Sequence, residues 1–374
     1  MIYEPQEDSF LLKKAVEVNA KGKVLEIGTG SGILALAAAN LKNVKSVLAV
    51  DIDTEALNYA KQHSAHKKIK FQQSDLFEKV KGKFDTIIFN PPYLPQEGNK
   101  RDIQLEGGKQ GYEVIEKFII SANNHLNENG ELLLLFSSFS KQKEINYFLD
   151  RQLFDYREIE KQHVFFEDLI VYKITKSGIR KQLEKMCKNL EYFARGRRGF
   201  IYTGTYKNKK VAIKIKRKDT RVHITVSNEA KFLKLANKIN IGPKFVKELE
   251  QAIICEFIEG KYLKDVMEKA DKKKKKNLLT QYLKQALAMD KANIAKHEMQ
   301  RPMKNALVNK KGKIILIDFE RARRTTNTHN TAQALQFIGK YIGKEQSRQL
   351  GREFAKASNE KQLIDDFNKL AESI

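Results

Sequence analysis

From Lys23 to Thr175 short apolar runs alternate with stretches of helical spacing. The runs fall at residues 24–27, 47–50, 86–89, 132–136 and 169–174, with amphipathic stretches at 33–41, 54–63 and 112–126. A short continuous apolar run bounded by turn residues reads as a strand buried on both faces. Its regular alternation with helices predicts a parallel, doubly wound sheet with helices on both sides. The last two strand-like segments, near 154–159 and 169–174, leave too little chain between them for a crossover helix. They are expected to form an antiparallel hairpin at the edge of the sheet.

The pattern changes character in the polar stretch that follows Thr175, where Ser177 and Gly178 suggest a junction. Beyond it, 200–206 and 209–216 read as a hairpin with Asn208 at the turn. Helical spacing at 228–238 and 282–291 and a buried strand at 314–317 complete a small α+β pattern. Two domains are therefore expected, 1–175 and 176–374. There is no internal repeat. No apolar run approaches the roughly 18 to 20 residues of a membrane span. The N-terminal region carries Glu4, Glu7 and Asp8 rather than the basic-then-apolar pattern of a signal peptide. Cys187 and Cys255 are the only two cysteines of 374 residues and have no CxxC partner. That pattern predicts a reducing, cytoplasmic setting and excludes a zinc or disulfide framework.

Charge divides with the pattern. The chain carries a formal +24, but residues 1–175 sum to −2 and the remainder to +26. The second half alone is thus suited to a polyanionic partner, such as RNA or the ribosome. The lysine run at 272–276 is placed just before a helix, where it serves equally as a solvated helix start or a nucleic-acid contact.

Three motifs carry the chemistry of the first half. Residues 24–33 read V-L-E-I-G-T-G-S-G-I, an apolar strand entering a turn with Gly28, Gly30 and Gly32. Glycine supplies positive φ there and lets a ligand approach the backbone. The G-x-G-x-G spacing differs from the dinucleotide fingerprint G-x-G-x-x-G, so a ligand without phosphates fits better. Asp51 ends the next strand, where a carboxylate accepts hydrogen bonds from ribose hydroxyls. In the third strand region Asp75, followed by Leu76, is placed to take an adenine amino group. Asp53 is assigned to capping the helix that starts at Thr54. Residues 89–93 read F-N-P-P-Y. An amide or exocyclic amino nitrogen is a weak nucleophile because its lone pair is delocalised. If Asn90 and the Pro91 carbonyl accept its two N–H groups while Tyr93 stacks on the planar group, the nitrogen is positioned for methyl transfer.

On these residues the first half resembles the HemK family of protein-glutamine N5-methyltransferases, which use S-adenosylmethionine. Residues 3–12, Y-E-P-Q-E-D-S-F-L-L, and residues 107–115, G-G-K-Q-G-Y-E-V-I, bring it nearest to the short archaeal and eukaryotic subgroup. The resemblance implies cofactor contacts at Ser9, Glu26, Gly28, Gly30, Asp51, Asp75, Leu76 and Asn90, and a substrate contact at Asn90. It implies the glutamine of the GGQ loop in peptide-chain release factors as substrate, and a small zinc-binding activator protein as partner. The helical bundle of the bacterial type is not expected, so substrate docking is expected to be organised differently. Methylation of adenine N6 uses the same N-P-P-Y chemistry and is the nearest rival, and lysine methylation is a further one. The −2 sum of this half favours a protein substrate.

The second half resembles small archaeal atypical kinases related to the Rio and Bud families. Residues 194–201, A-R-G-R-R-G-F-I, match G-x-G-x-x-G-x-V through Gly196 and Gly199, with the first glycine replaced. Residues 211–214 read V-A-I-K, and Glu229 lies on the following helix to pair with Lys214. Asn305 and Asp318, the latter in I-D-F-E at 317–320, stand where a kinase holds Mg²⁺ for ATP. Two departures follow. Glu320 replaces the last glycine of D-F-G, and the catalytic loop, H-E-M-Q-R-P-M-K-N at 297–305, places Gln300 where the proton-accepting Asp belongs. Glu298 substitutes for it if the loop carries an insertion. Only a short tail is expected after Glu320. The alternative is a kinase-like module that binds RNA or the ribosome without phosphotransfer.

Overall fold

The structure is a computed structural model and describes residues 4–96, 105–196, 199–216 and 226–373. It divides into two compact units, Met1–Lys185 and Met186–Ile374. Tyr3, which opens the N-terminal motif, and Arg197 and Arg198 of the glycine-containing loop lie outside the described residues.

In the first unit α1 (Glu7–Asn19) precedes β1 (Gly22–Ile27), α2 (Ile33–Ala39), β2 (Val44–Asp51), α3 (Thr54–His63), β3 (Ile69–Gln73) and β4 (Phe84–Phe89). Then come two short strands, β5 (Leu94–Pro95) and β6 (Glu106–Gly108), followed by α4 (Glu113–His125), β7 (Leu126–Ser137), α5 (Gln142–Arg151), β8 (Phe154–Val164), β9 (Glu167–Lys176) and α6 (Gly178–Met186). Seven strands form one sheet in the order β3-β2-β1-β4-β7-β9-β8. The pairs from β3 to β7 are parallel, and β9 joins antiparallel to β7 and to β8. The doubly wound sheet with its antiparallel edge hairpin is the one that the hydrophobic pattern predicts.

Strand side chains alternate between the faces, so a strand apolar at every position feeds two cores. Leu132 and Leu134 of β7 join Phe118 and Ile119 of α4 in one cluster. Leu133 and Leu135 join Leu12 and Val16 of α1 in the other. Burial of one such leucine or phenylalanine is worth about 1.5–3 kcal/mol, and these side chains are 0% exposed.

The boundary lies beyond the expected 175. Lys176 closes β9, and α6 is tied back to the first unit by Lys185 to Glu128 (2.7 Å) and Lys181 to Asn129 (3.0 Å). The polar junction was therefore a helix start, with Ser177 Oγ accepting from the Arg180 N–H (3.2 Å).

The second unit opens with β10 (Lys188–Arg195), β11 (Gly199–Tyr206), β12 (Lys209–Lys216), α7 (Val226–Lys238), β13 (Phe245–Leu249) and β14 (Ala252–Glu256). These strands make an antiparallel sheet ordered β10-β11-β12-β14-β13. The predicted hairpin is β11–β12, with Lys207 and Asn208 both at positive φ, 46° and 60°, in its two-residue turn. The remainder comprises β15 (Gly260–Tyr262), α8 (Leu263–Lys269), α9 (Lys272–Lys291), β16 (Ile294–Ala295), β17 (Ala306–Asn309), β18 (Ile314–Leu316), β19 (Arg323–Arg324), α10 (Asn330–Ile342), α11 (Lys344–Ala357) and α12 (Glu360–Leu370).

Two expectations are adjusted in this unit. The lysine run does not precede a helix but opens α9, the solvated helix start of the two alternatives: Asp271 caps the helix by accepting from the Lys274 N–H (2.7 Å), and lysine is a good helix former. The chain after Glu320 is not a short tail but three helices, whose Leu335, Phe337, Ile338, Leu350, Leu363 and Phe367 join Leu279 and Tyr282 of α9 in one core. Among the described residues no helix is long and apolar enough to cross a membrane.

Candidate functional site

The sheet order brings four strand ends side by side. Asp75 follows β3, Asp51 ends β2, Glu26 lies near the end of β1 and Asn90 follows β4. In a doubly wound sheet the carboxyl ends of the strands form the ligand crevice.

Between β1 and α2 the chain turns through Gly28 (φ 64°), Gly30 (φ 51°) and Gly32 (φ 79°). A Cβ at Gly30 would meet no atom within 4 Å, so this stretch of backbone is open to a ligand. The Asp51 carboxylate ties the turn to β2, accepting from the Gly30 N–H (2.9 Å) and from the Asp53 N–H (3.0 Å). Burial raises the Asp51 pKa, and those backbone donors oppose the rise. Glu26 is 1% exposed and accepts from Thr29 Oγ1 (2.6 Å). Burial, with the nearby negative charge of Asp51 adding to it, pushes Glu26 up to about 8. Asp53 caps α3, as expected, by accepting from the Glu55 N–H (2.8 Å). After β3, Leu76 takes positive φ (45°), and Ser74 Oγ fixes the turn by donating to the Leu76 carbonyl (3.1 Å). Asp75 is exposed and Ser9 is buried on α1.

Among the described residues Asn90 is held through its amide nitrogen. Its Nδ2 donates to Asp8 Oδ2 of α1 (3.0 Å). Its Oδ1 is buried, and among the described residues it accepts no hydrogen bond. Buried acceptors are nearly always satisfied, so an orphan at a crevice points to a donor that arrives with a ligand. Pro91 is buried, and Tyr93 packs between the two cores while its carbonyl accepts from Ser140 Oγ (3.0 Å).

A second glycine segment cradles this loop. The Leu94 N–H donates to the Leu105 carbonyl (2.9 Å) and the Gln96 N–H to the Gly108 carbonyl (2.9 Å). A Cβ on Gly107 would stand 2.6 Å from the Pro92 oxygen, and one on Gly111 (φ 83°) 2.6 Å from the Tyr93 oxygen. Sequence reasoning assigned no role to Asp8, Ser140, Gly107 or Gly111. The repeated glycines were a signal, but the Asp8–Asn90 bond spans 82 positions and left none.

A second polar cluster lies in the other unit. Lys214 of β12 donates to Glu229 of α7 (2.7 Å) and lies 3.4 Å from both Asp318 and Glu320. Burial opposes the Lys214 charge, yet the three carboxylates outweigh it and raise its pKa. Burial likewise raises Glu229, whereas Lys214 and Lys296 overcome burial at Asp318 and lower it. Asp318 has φ 63°, and the buried Lys296 donates to its carbonyl (2.8 Å) while lying 5.1 Å over the Phe319 ring. Burial brings Lys296 down to about 8. Among the described residues Glu229, Asp318 and Glu320 present oxygens within 4.8 Å of one another, enough to hold a divalent cation. Asn305, called with Asp318 as a cation ligand, accepts at its carbonyl from the Ile317 N–H (2.9 Å) beside Asp318, and its side chain donates to Glu298 (2.9 Å), which also meets Arg321 (3.4 Å). Gln300 Oε1 is buried and accepts no hydrogen bond among the described residues. The Gly196 N–H donates to the Gly199 carbonyl (2.8 Å), and a Cβ on Gly199 would collide with the Ile215 carbonyl. Lys296 was missed in the sequence because a lone lysine carries no sign of burial.

The fold and crevice of the first unit are those of a Rossmann-like methyltransferase. The Methyltransferase small domain family model matches residues 6–166. A "Putative protein N5-glutamine methyltransferase" of Methanocaldococcus jannaschii is 42% identical, over 46% of this chain and 89% of that protein. The mouse protein "Methyltransferase HEMK2" is 30% identical, over 38% of this chain and 75% of its own length. A "Release factor glutamine methyltransferase" of Lactococcus lactis is 35% identical over 30% of this chain, which spans 46% of that relative's length. Through its first unit the chain belongs to the HemK-like family of S-adenosylmethionine-dependent methyltransferases. The crevice fits that cofactor: the glycine turn is open to a ligand, and the buried carboxyl groups of Glu26 and Asp51 offer acceptors to its hydroxyl and amino groups.

Proposed function

We propose that the first unit methylates the side-chain amide nitrogen of a glutamine in a protein, the GGQ loop of a peptide-chain release factor being the acceptor. The buried Oδ1 of Asn90, which accepts no hydrogen bond among the described residues, carries this reading. The names of the relatives support it, as does the −2 charge of residues 1–175, which suits a protein acceptor better than a nucleic acid. Glu26, Asp51 and Asp75, with Gly28, Gly30, Ser9 and Leu76 around them, would hold the cofactor. When bound, it supplies a methyl group made electrophilic by a sulfonium. Asn90 Oδ1 and the Pro91 carbonyl accept the two amide N–H bonds and hold the lone pair toward that methyl group; as the nitrogen–methyl bond forms the sulfur–methyl bond breaks, and one of the two N–H protons passes to solvent. Tyr93 confines the planar amide from one side. Positioning, rather than a strong base, performs most of the catalysis. The test is transfer of isotope-labelled methyl to purified release factor, with and without a zinc-binding activator protein, mapped by mass spectrometry. Asn90→Ala is expected to lower kcat by about a hundred-fold or more. Label on adenine, on lysine, or none on the factor refutes the reading.

For the second unit we propose binding of ATP with Mg²⁺ in a kinase-like site, on the observation that Lys214 gathers Glu229, Asp318 and Glu320. Glu298 is the better proton acceptor of the two loop candidates, since it has a carboxylate and receives the Asn305 amide, whereas Gln300 cannot take a proton. Calorimetry with Mg-ATP tests this. Asp318→Ala is expected to abolish binding. Unchanged affinity would favour a basic docking module for RNA or the ribosome, in keeping with the +26 sum.

A further inference from the structure

An asparagine amide has two faces. Rotation by half a turn exchanges an accepting oxygen for a donating NH2 at almost no steric cost. At Asn90 that choice decides the chemistry. Its oxygen accepts a substrate N–H, whereas its nitrogen would oppose one.

Among the described residues the partner of the Asn90 side chain is Asp8, in the first turn of α1. Asp8 is 4% exposed. One carboxylate oxygen accepts from Asn90 Nδ2 (3.0 Å), and the other accepts from the Ser9 N–H (2.5 Å). An ionised carboxylate offers no donor, so a rotated Asn90 would set oxygen against oxygen in a buried place. We infer that Asp8 is a positioning residue for the methyl acceptor: it locks Asn90 with Oδ1 facing the crevice and strengthens that oxygen as an acceptor.

The second effect follows from polarisation. A charge-assisted bond at the nitrogen end of an amide pulls electron density toward the carbonyl oxygen, and hydrogen bonds in series reinforce one another. The chain substrate N–H, Asn90 amide, Asp8 carboxylate is such a series. Asp8 touches no reacting atom and acts through Asn90. The inference rests on the role of Asn90 proposed above.

Asp8→Asn tests it, because the replacement keeps size and shape while making either rotation of Asn90 acceptable. With release factor as substrate, kcat is expected to fall about ten- to a hundred-fold, the usual loss when an outer partner of a functional group is removed. The melting temperature and the dissociation constant for S-adenosylmethionine are expected to stay at wild-type values. Parallel losses in melting temperature, cofactor affinity and kcat would make Asp8 a structural residue and overturn the inference. Asn90→Ala separates the two levels. If it is inactive while Asp8→Asn keeps full kcat, the role of Asn90 stands and that of Asp8 fails. If Asn90→Ala is fully active, both fail. A substrate-independent measurement accompanies these: in 15N-labelled full-length protein the Asn90 side-chain NH2 is expected to exchange slowly and to lose that protection in Asp8→Asn. Equal exchange in both proteins refutes the lock.

Discussion

Replacing Glu26 by Gln tests the electrostatics of the crevice without any assay of methylation. In the unfolded chain the Glu26 carboxyl ionises near 4.5, whereas in the folded protein burial and Asp51 hold it to about 8. Between those values the folded protein binds a proton that the unfolded chain releases, so stability falls as pH rises. The advantage is complete below 4.5 and lost as pH rises through 8. At about 1.4 kcal/mol per unit, the interval between pH 5 and pH 8 corresponds to roughly 4 kcal/mol. Because Glu26 is 1% exposed, solvent screening does not reduce this appreciably. Glutamine is nearly isosteric, keeps an oxygen for Thr29 Oγ1 and does not titrate. Glu26→Gln is therefore expected to gain up to about 4 kcal/mol relative to wild type on going from pH 5 to pH 8.5. The chain contains no tryptophan, so urea unfolding of the first unit is followed by far-ultraviolet circular dichroism. A stability difference that stays constant across this range would refute the assigned burial of an ionisable Glu26. Cofactor affinity, read by calorimetry, is expected to fall in the same variant, so a residue that costs stability is retained for binding.

Gly111→Ala places a Cβ 2.6 Å from the Tyr93 carbonyl at φ 83°. It is expected to cost about 1–3 kcal/mol and to lower kcat more than cofactor affinity, read by denaturation and steady-state kinetics. Lys296 titrates near 8 in the fold against 10.5 in the unfolded chain. The unfolded state binds the extra proton between those values, so this residue makes the second unit more stable as pH rises through the interval. From pH 8 to pH 10 the gain is about 3 kcal/mol, and Lys296→Met is expected to lack it in denaturation titrations. An equal pH slope in both proteins would count against the burial of its charge.

How much the sequence disclosed depended on the range of the forces involved. Strands apolar on both faces, such as residues 132–136, announce a covered parallel sheet because each position is dictated by local burial. The Asp53 cap was readable for the same reason, its partner being two residues away. Asn90 was legible because its prolines constrain the chain locally. Its orientation was not, since Asp8 arrives from another element. The same limit hid α10, α11 and α12, whose apolar residues make sense only against α9. At α9 itself periodicity showed only the later part of the helix, from residue 282. The lysines of its first turns carry no apolar stripe, so the pattern could not place the helix start at Lys272.

The two glycines beneath the N-P-P-Y loop set a condition on any attempt to transplant this chemistry. The four residues from Asn90 to Tyr93 do not hold their own shape: the carbonyls of Pro92 and Tyr93 rest on backbone where even a methyl group has no room. A designer grafting only the tetrapeptide onto another sheet would carry over the tool without its mount. The smallest portable unit includes the strand pair β5–β6 and Gly107 through Gly111, together with whichever residue fixes the asparagine from behind. In directed evolution the corollary is that altered acceptor preference should be sought elsewhere around the crevice. At those two positions, diversity would mostly yield loops that no longer close.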